Sequence, residues 1–264
     1  PKSPFANTKT ARLRAVYTFI MSSESGPKNH EQAPQLLARV TFSRHEETNY
    51  TGVGRDIMDR GIARAQEKGR NITKEKGSPM IIGHSPKERA KGTAESIEEG
   101  TDPSKKARWI RIPGLRATDF RDEKFREQLT EELGTGQEAW AEAHHNMPEF
   151  YDNPEKLETN EEKRTRLYRE IDRLVSFLEK KDMKGEVPHL VFVSHYELLS
   201  LLLDDVFGIE TFGTTNTPTF GEHIDIDLCK PLPSGDVPIR IHYGGHEKQV
   251  LFDRKLRRLV AQPI

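Results

Sequence analysis

Four residues of this chain have the side chains needed to bind and attack a phosphoryl group. Arg44 and His45 are adjacent, Arg89 follows in the segment Ser85–Ala90, and His195 comes directly after a later apolar run. A guanidinium can hold phosphoryl oxygens through two parallel hydrogen bonds. A neutral imidazole nitrogen can attack phosphorus, and a protonated one can donate to its oxygens. The combination indicates phosphoryl-transfer chemistry.

A short apolar run, typical of a buried β-strand, precedes each of these polar clusters. The runs are Leu37–Phe42, Ile81–Gly83 and Leu190–Val193. In an open α/β sheet, sites form just beyond the carboxyl ends of the strands. We therefore expect three strand ends to bring the four side chains together.

The order and spacing of these motifs resemble those of the histidine phosphatase (phosphoglycerate mutase-like) superfamily. The resemblance spans about residues 37–230. It is carried by Arg44-His45, by Ser85-Pro86-x-x-Arg89-Ala90-x-x-Thr93-Ala94 and by Val193-Ser194-His195, and Asp59–Ala65 is similar to the family's first helix. Any one of these motifs would be weak alone, because short patterns recur by chance.

The resemblance implies hydrolysis of a phosphomonoester through a phosphohistidine on His45. Arg44 and Arg89 would hold the phosphoryl oxygens, and a protonated His195 would add a third cationic donor. Thr51 is a further candidate for substrate contact. No metal or other cofactor is expected, because the guanidiniums supply the electrostatic stabilisation. A phosphomutase would use the same site, and a catalytically silent relative would keep only the anion pocket.

Two positions depart from the family pattern, which usually has glycine after Arg-His and after Ser-His. Here the residues are Glu46 and Tyr196. Glycine at such places permits close backbone approach or positive φ. A carboxylate at Glu46 beside an anion site would repel phosphate, so we expect a reshaped pocket.

The proton donor for the leaving oxygen is the least defined part of the pattern. The family's Leu-x-Glu-x-x-Phe aligns with Leu115–Phe120, which puts Ala117 at the acid position. Asp119 is the predicted substitute, and Glu46 or Glu47 is an alternative. Asp119 could equally cap the helix that follows it.

Composition limits the class of protein. The 264 residues are 34% hydrophobic and 31% charged, which suits one α/β domain with insertions. A net charge of −1 creates no global attraction to nucleic acid or anionic membrane. Cys229 is the only cysteine, which fits a reducing compartment, so we expect a cytoplasmic protein. The expected partner is a phosphorylated small molecule or a phosphoprotein, and no apolar run approaches a membrane span.

Strands alternating with helices predict a three-layer α/β/α sandwich with a mostly parallel central sheet. Residues 1–36 are expected to be an N-terminal extension, and 37–264 the phosphatase-like domain with a helical insertion at about 120–183. The predicted strands are 36–43, 79–83, 108–112, 189–193, 224–228, 239–242 and 249–252, and the predicted helices outside the insertion are 55–70, 86–98 and 196–206.

Other candidate residues have simpler interpretations. His144 and His145 are adjacent, so they point to different helix faces, and a solvated polar loop is favoured over a metal site. His242 and His246 flank Gly244-Gly245, which indicates a hairpin. The basic run Arg254–Arg258 is interpreted as a solvated helix or tail, and Ser85 as a helix N-cap.

Overall fold

The computed structural model describes residues 34–49, 54–134, 137–181, 185–208 and 217–261. Its strands are Leu36–Arg44 (β1), Ile81–His84 (β2), Arg108–Arg111 (β3), His189–Ser194 (β4), His223–Cys229 (β5), Val237–Tyr243 (β6), His246–Asp253 (β7) and Arg258–Ala261 (β8). Its α-helices are Asp59–Lys76 (α1), Glu88–Glu99 (α2), Glu123–Leu133 (α3), Gln137–Asn146 (α4), Glu149–Asp152 (α5), Asn160–Lys180 (α6) and Tyr196–Phe207 (α7). The apolar patch Val16–Met21 lies outside the described residues.

The strands form one sheet in the order β3-β2-β4-β1-β5-β6-β7-β8. The first four are mutually parallel, whereas every pairing from β1–β5 to β7–β8 is antiparallel. The expectation of a mostly parallel sheet is therefore wrong for one half. Parallel neighbours need long crossover connections, which the helices supply before β4, whereas β5 to β8 follow one another through short turns.

Helices cover both faces of the parallel half, as the predicted three-layer sandwich requires. Side chains alternate along β4: Leu190 and Phe192 pack in a core with α6 and α7, whereas Val191 and Val193 pack with Ala65 of α1 and with α2. This alternation follows from the two-residue period of a strand. The fold class is confirmed.

The predicted helical insertion contains α3 to α6. It has a small core of its own, formed by Phe125, Leu129, Ala143, Phe150 and Leu157. The sequence from 143 to 155, with Pro148 and Pro154, predicts a break in the helices, but α4 continues to Asn146 and α5 begins at Glu149. A side-chain cap defines the start of α6: Thr159 accepts from the Glu162 backbone, and the Glu162 side chain accepts from the Thr159 backbone.

Two predictions from the sequence differ from the structure. The helix predicted at 55–70 is α1, Asp59–Lys76, and Gly69 lies inside it. A Cβ at Gly69 would lie 2.0 Å from the Ile97 carbonyl oxygen, so this glycine allows α1 and α2 to pack closely. The basic run at 254–258 is a turn leading into β8, and Arg254 donates to Asp172 of α6 at 2.8 Å.

Candidate active site

Three adjacent parallel strands end side by side and carry the predicted residues. The Cα register pairs Arg44 of β1 with Ser194 of β4, and His84 of β2 with Val193. The backbone N–H of His45 donates to the Ser194 carbonyl at 3.0 Å, and the N–H of Ser85 donates to the Val193 carbonyl at 3.0 Å. The polar residues after all three strands therefore converge at one edge of the sheet.

His45 is buried and held in one orientation. Its Nδ1 lies 2.7 Å from the Glu46 carbonyl oxygen and must carry the proton, because a carbonyl only accepts. Its Nε2 is then the basic nitrogen and accepts from Arg89 Nε at 3.1 Å. Burial, with the charges of Arg89 and Arg44, holds the pKa of His45 well below its usual value. A neutral imidazole with a lone pair on Nε2 is the form that can attack phosphorus.

His195 lies beside His45, with ring centroids 5.0 Å apart. Its Nε2 is 2.6 Å from Ser85 Oγ, and its Nδ1 is 3.5 Å from Arg89 Nη2. Burial, then the neighbouring His45 and Arg89, keep the pKa of His195 well below its usual value. The predicted protonation of His195 therefore requires an anion in the pocket, because its negative charge would offset these positive charges and raise the pKa of His195.

Ser85 has a different contact from the one expected. Helix α2 begins at Glu88 with Lys87 at the N-cap position, so Ser85 is not the N-cap. Its hydroxyl oxygen accepts from the Lys87 N–H at 3.3 Å and contacts the His195 ring. Ser85 thus orients an imidazole.

Arg44 is buried between two aromatic rings. Its guanidinium carbon lies 4.0 Å from the ring centroid of Phe220 and 5.0 Å from that of Tyr196, and Nη1 donates to the Pro218 carbonyl at 2.7 Å. Tyr196 stands at one of the two positions where the family usually has glycine. Phe220, whose ring also lies 5.6 Å from that of His45, was missed by sequence reasoning because no motif surrounds it.

None of the described contacts of Asp119 is with these four residues. Its side chain is 57% exposed and pairs with Arg116 at 3.8 Å. The N-cap alternative for Asp119 is wrong, because Asp122 caps α3 by accepting from the backbone of Lys124 and Phe125. Ala117 offers only its carbonyl, which accepts from Arg166 at 3.3 Å. Thr51, the other predicted substrate contact, lies outside the described residues.

The two carboxylates after His45 point toward α1. Glu46 is buried and forms an ion pair with Arg64 at 2.8 Å, and Glu47 pairs with Arg60. Neither has a described contact with Arg44 or Arg89. The expected repulsion between Glu46 and a bound anion is therefore reduced by the Arg64 guanidinium of α1.

The adjacent histidines of the insertion are buried rather than solvated. His144 accepts from the Lys163 ammonium at 2.9 Å, and His145 lies 3.5 Å from Asp204. The solvated-loop interpretation is wrong, because α4 packs this pair against α6 and α7. In the part of the chain that the structure describes, no group of three or more His, Cys, Asp or Glu side chains could hold a metal ion.

The predicted hairpin is confirmed, with Tyr243 paired to His246 across Gly244-Gly245. None of the helices within the described ranges combines the length and apolar character of a membrane span.

Several solved structures share this fold. The structure named Mycobacterial hydrolase 2 aligns with a TM-score of 0.54 at 20% identity, covering 83% of this chain and 96% of its own. A mycobacterial glucosyl-3-phosphoglycerate phosphatase in complex with inorganic phosphate gives 0.52 at 18% identity, covering 79% and 97%. A phosphoglycerate mutase from Bacillus anthracis str. Sterne gives 0.52 at 16% identity, covering 81% and 91%. At these identities the likeness concerns the fold.

Sequence comparison identifies the family. No curated protein sequence matches significantly. The family described as histidine phosphatase superfamily (branch 1) matches residues 40–218, which is more than half of the chain and includes every motif around His45, Arg89 and His195. The chain belongs to the histidine phosphatase superfamily.

Proposed function

We propose that this protein hydrolyses phosphomonoesters through a phosphohistidine on His45, without a metal ion. The observation that carries the proposal is the state of the His45 ring. Its Nδ1 proton is bound by the Glu46 carbonyl at 2.7 Å, so the nitrogen with the free electron pair, Nε2, faces the Arg89 guanidinium at 3.1 Å. A phosphoryl group held by that guanidinium would lie next to the nucleophilic atom.

The first step forms an Nε2–P bond on His45 as the bond from phosphorus to the leaving oxygen breaks. Arg89 exchanges its bond to Nε2 for bonds to phosphoryl oxygens, and Arg44 adds a second positive charge. The phosphate's own charge favours protonation of His195, whose Nδ1 then donates to the same group. In the second step a water oxygen bonds to phosphorus, the N–P bond breaks, and His45 returns to its neutral form.

The leaving oxygen needs a proton, and Asp119 is the proposed donor. Its ion pair with Arg116 is long and exposed, so it contributes little stability and its release costs little. In the second step the ionised carboxylate would take the proton that the attacking water loses. A catalytically silent relative is the alternative, favoured by Ala117 at the family's acid position.

Hydrolysis of an activated aryl phosphate by wild-type protein and by His45→Ala, with chelator present, tests the proposal. We expect the variant to lose at least about 10³-fold in rate, because nucleophilic catalysis is removed. His246→Ala is the matched control, since His246 is an exposed residue of the β6–β7 hairpin. A phosphoramidate signal in ³¹P NMR of wild type denatured at alkaline pH, where the N–P bond is stable, and absent from the variant, would identify the intermediate. Equal rates for wild type and His45→Ala would exclude His45 as nucleophile.

A further inference from the structure

The residue after the nucleophile holds the nucleophile loop through its backbone. The N–H of Glu46 donates to Thr93 Oγ1 at 2.9 Å, and Thr93 in turn donates to the Arg89 carbonyl at 2.9 Å. The carbonyl of Glu46 is the group that binds His45 Nδ1. The orientation and the tautomer of His45 therefore depend on where the Glu46 backbone lies.

The side chain of Glu46 occupies a space bounded by two glycines. A Cβ on Gly61 of α1 would lie 2.9 Å from Glu46 Cβ, and a Cβ on Gly221 would lie 2.2 Å from Glu46 Oε1. Gly221 also has a φ of +77°, a conformation that other residues rarely adopt. The carboxylate is thus enclosed between α1 and the segment that precedes β5, with its side chain 1% exposed.

Two cations of α1, Arg64 and Lys68, lie near this carboxylate. Arg64 forms the ion pair at 2.8 Å, and burial raises the pKa of Glu46 while the cations Lys68 and Arg64 oppose that rise. The Lys68 ammonium donates to Ser43 Oγ at 2.8 Å and to the Gly221 carbonyl. The N–H of Gly221 donates to the His45 carbonyl at 3.3 Å, so the segment that encloses Glu46 is also hydrogen-bonded to the nucleophile.

We propose that Glu46 is a positioning residue, whose carboxylate, anchored between α1 and Gly221, fixes the backbone carbonyl that sets the tautomer and orientation of His45. A glutamate here fills the space between Gly61 and Gly221 and places an oxygen beside Arg64, which the glycine common in the family cannot do. The consequence for catalysis rests on the proposed function, whereas the effect on the His45 ring does not.

The test combines kinetics with NMR on Glu46→Gly and Glu46→Gln. In Glu46→Gly the anchor is lost, and we expect kcat to fall about 10- to 100-fold with KM changed less than about threefold, because a small displacement of the nucleophile slows chemistry more than binding. In Glu46→Gln the amide fills the same space, so we expect kcat to recover to within about fivefold of wild type. Glu67→Gln, an exposed change on the same helix, is the matched control.

Imidazole ¹⁵N shifts report the tautomer directly, and comparison with His45→Ala assigns the His45 signals. We expect wild type to show a protonated Nδ1, Glu46→Gly to show mixed tautomers, and Glu46→Gln to resemble wild type. A wild-type tautomer and wild-type kcat in Glu46→Gly would overturn the positioning role, as would a Glu46→Gln protein no better than Glu46→Gly. Lack of phosphatase activity in wild type would overturn the proposed function alone, since the NMR comparison still tests Glu46.

Discussion

At the scale of single residues, charge and burial set the chemistry that each group can perform. His45 and His195 are both kept neutral because burial and two nearby guanidiniums disfavour the imidazolium. For a nucleophile this is useful at neutral pH, since the electron pair on Nε2 stays available. Arg44, whose guanidinium contacts the rings of Phe220 and Tyr196 and donates to the Pro218 carbonyl, is held in place before any anion arrives.

Substrates with good and poor leaving groups can distinguish proton donation by Asp119 from a structural effect of its substitution on the loop. If Asp119 donates the proton, Asp119→Asn should slow hydrolysis of an alkyl phosphate by about 10²-fold or more and slow that of a nitrophenyl phosphate far less, because a good leaving group needs no proton. Steady-state kinetics with both substrates measure this difference.

Asp122→Asn is the control for that measurement. Asparagine caps a helix about as well as aspartate, so this nearby variant loses a carboxylate while α3 keeps its start. Equal effects of Asp119→Asn on both substrates would remove Asp119 from the mechanism.

At the scale of elements, α6 connects the helical insertion to the loop that follows β3. Arg166 donates to the Gly114 carbonyl at 2.6 Å and forms a bidentate pair with the buried Glu158, whose other partner is Arg116. The loop carrying Asp119 therefore depends on the placement of α6. We expect residues of the insertion to determine which substrate is selected.

The capping box at the start of α6 should make a measurable contribution to stability. Thr159→Ala removes one hydrogen bond of the capping box, and we expect it to lower the free energy of unfolding by about 1 kcal/mol. Urea denaturation followed by circular dichroism measures the change. Thr165→Ala, at an exposed position within the same helix, should be neutral or slightly stabilising. A Thr159→Ala protein as stable as wild type would show that tertiary packing alone defines this helix end.

At the scale of the whole molecule, buried bases make the stability depend on pH. The pKa of His189 is lowered to about 4, mainly by burial, and the pKa values of His45, His144 and His195 are also lowered. The pKa values of two buried lysines are lowered as well, to about 8 for Lys68 and about 7 for Lys163. In each case the unfolded chain binds the proton more tightly than the folded protein.

The free energy of unfolding should therefore rise with pH between the folded-state and the unfolded-state pKa values of these groups, because the unfolded state binds more protons there. As pH falls from about 6.5 toward 4, we expect His189 alone to lower the free energy of unfolding by roughly 3 kcal/mol. The raised pKa of Glu46 has the opposite effect. Urea denaturation from pH 8 to pH 4.5 measures the slope. His189→Gln should flatten it and the exposed His246→Gln should not; a flat profile in wild type would contradict the burial argument.

The residues that meet at the sheet edge were predictable from local patterns in the sequence. Short apolar runs ending at Arg44-His45, near Ser85 and at His195 predict strands whose carboxyl ends coincide, because local side-chain period and strand polarity are properties of neighbouring residues. The sandwich, the insertion and the hairpin at Gly244-Gly245 were predictable for the same reason.

The orientation of these residues, in contrast, depends on contacts between segments that are far apart in the chain. The contact between Ser85 and His195 spans 110 positions, and the bond from Arg44 to the Pro218 carbonyl spans 174. The direction of the Glu46 carboxylate depends on the space left by glycines from two distant elements. The antiparallel half of the sheet likewise depends on the pairing of β5 with β1, which are far apart in the chain. Such contacts arise from three-dimensional packing between segments that are remote in the chain, so no local pattern of residue types could specify them.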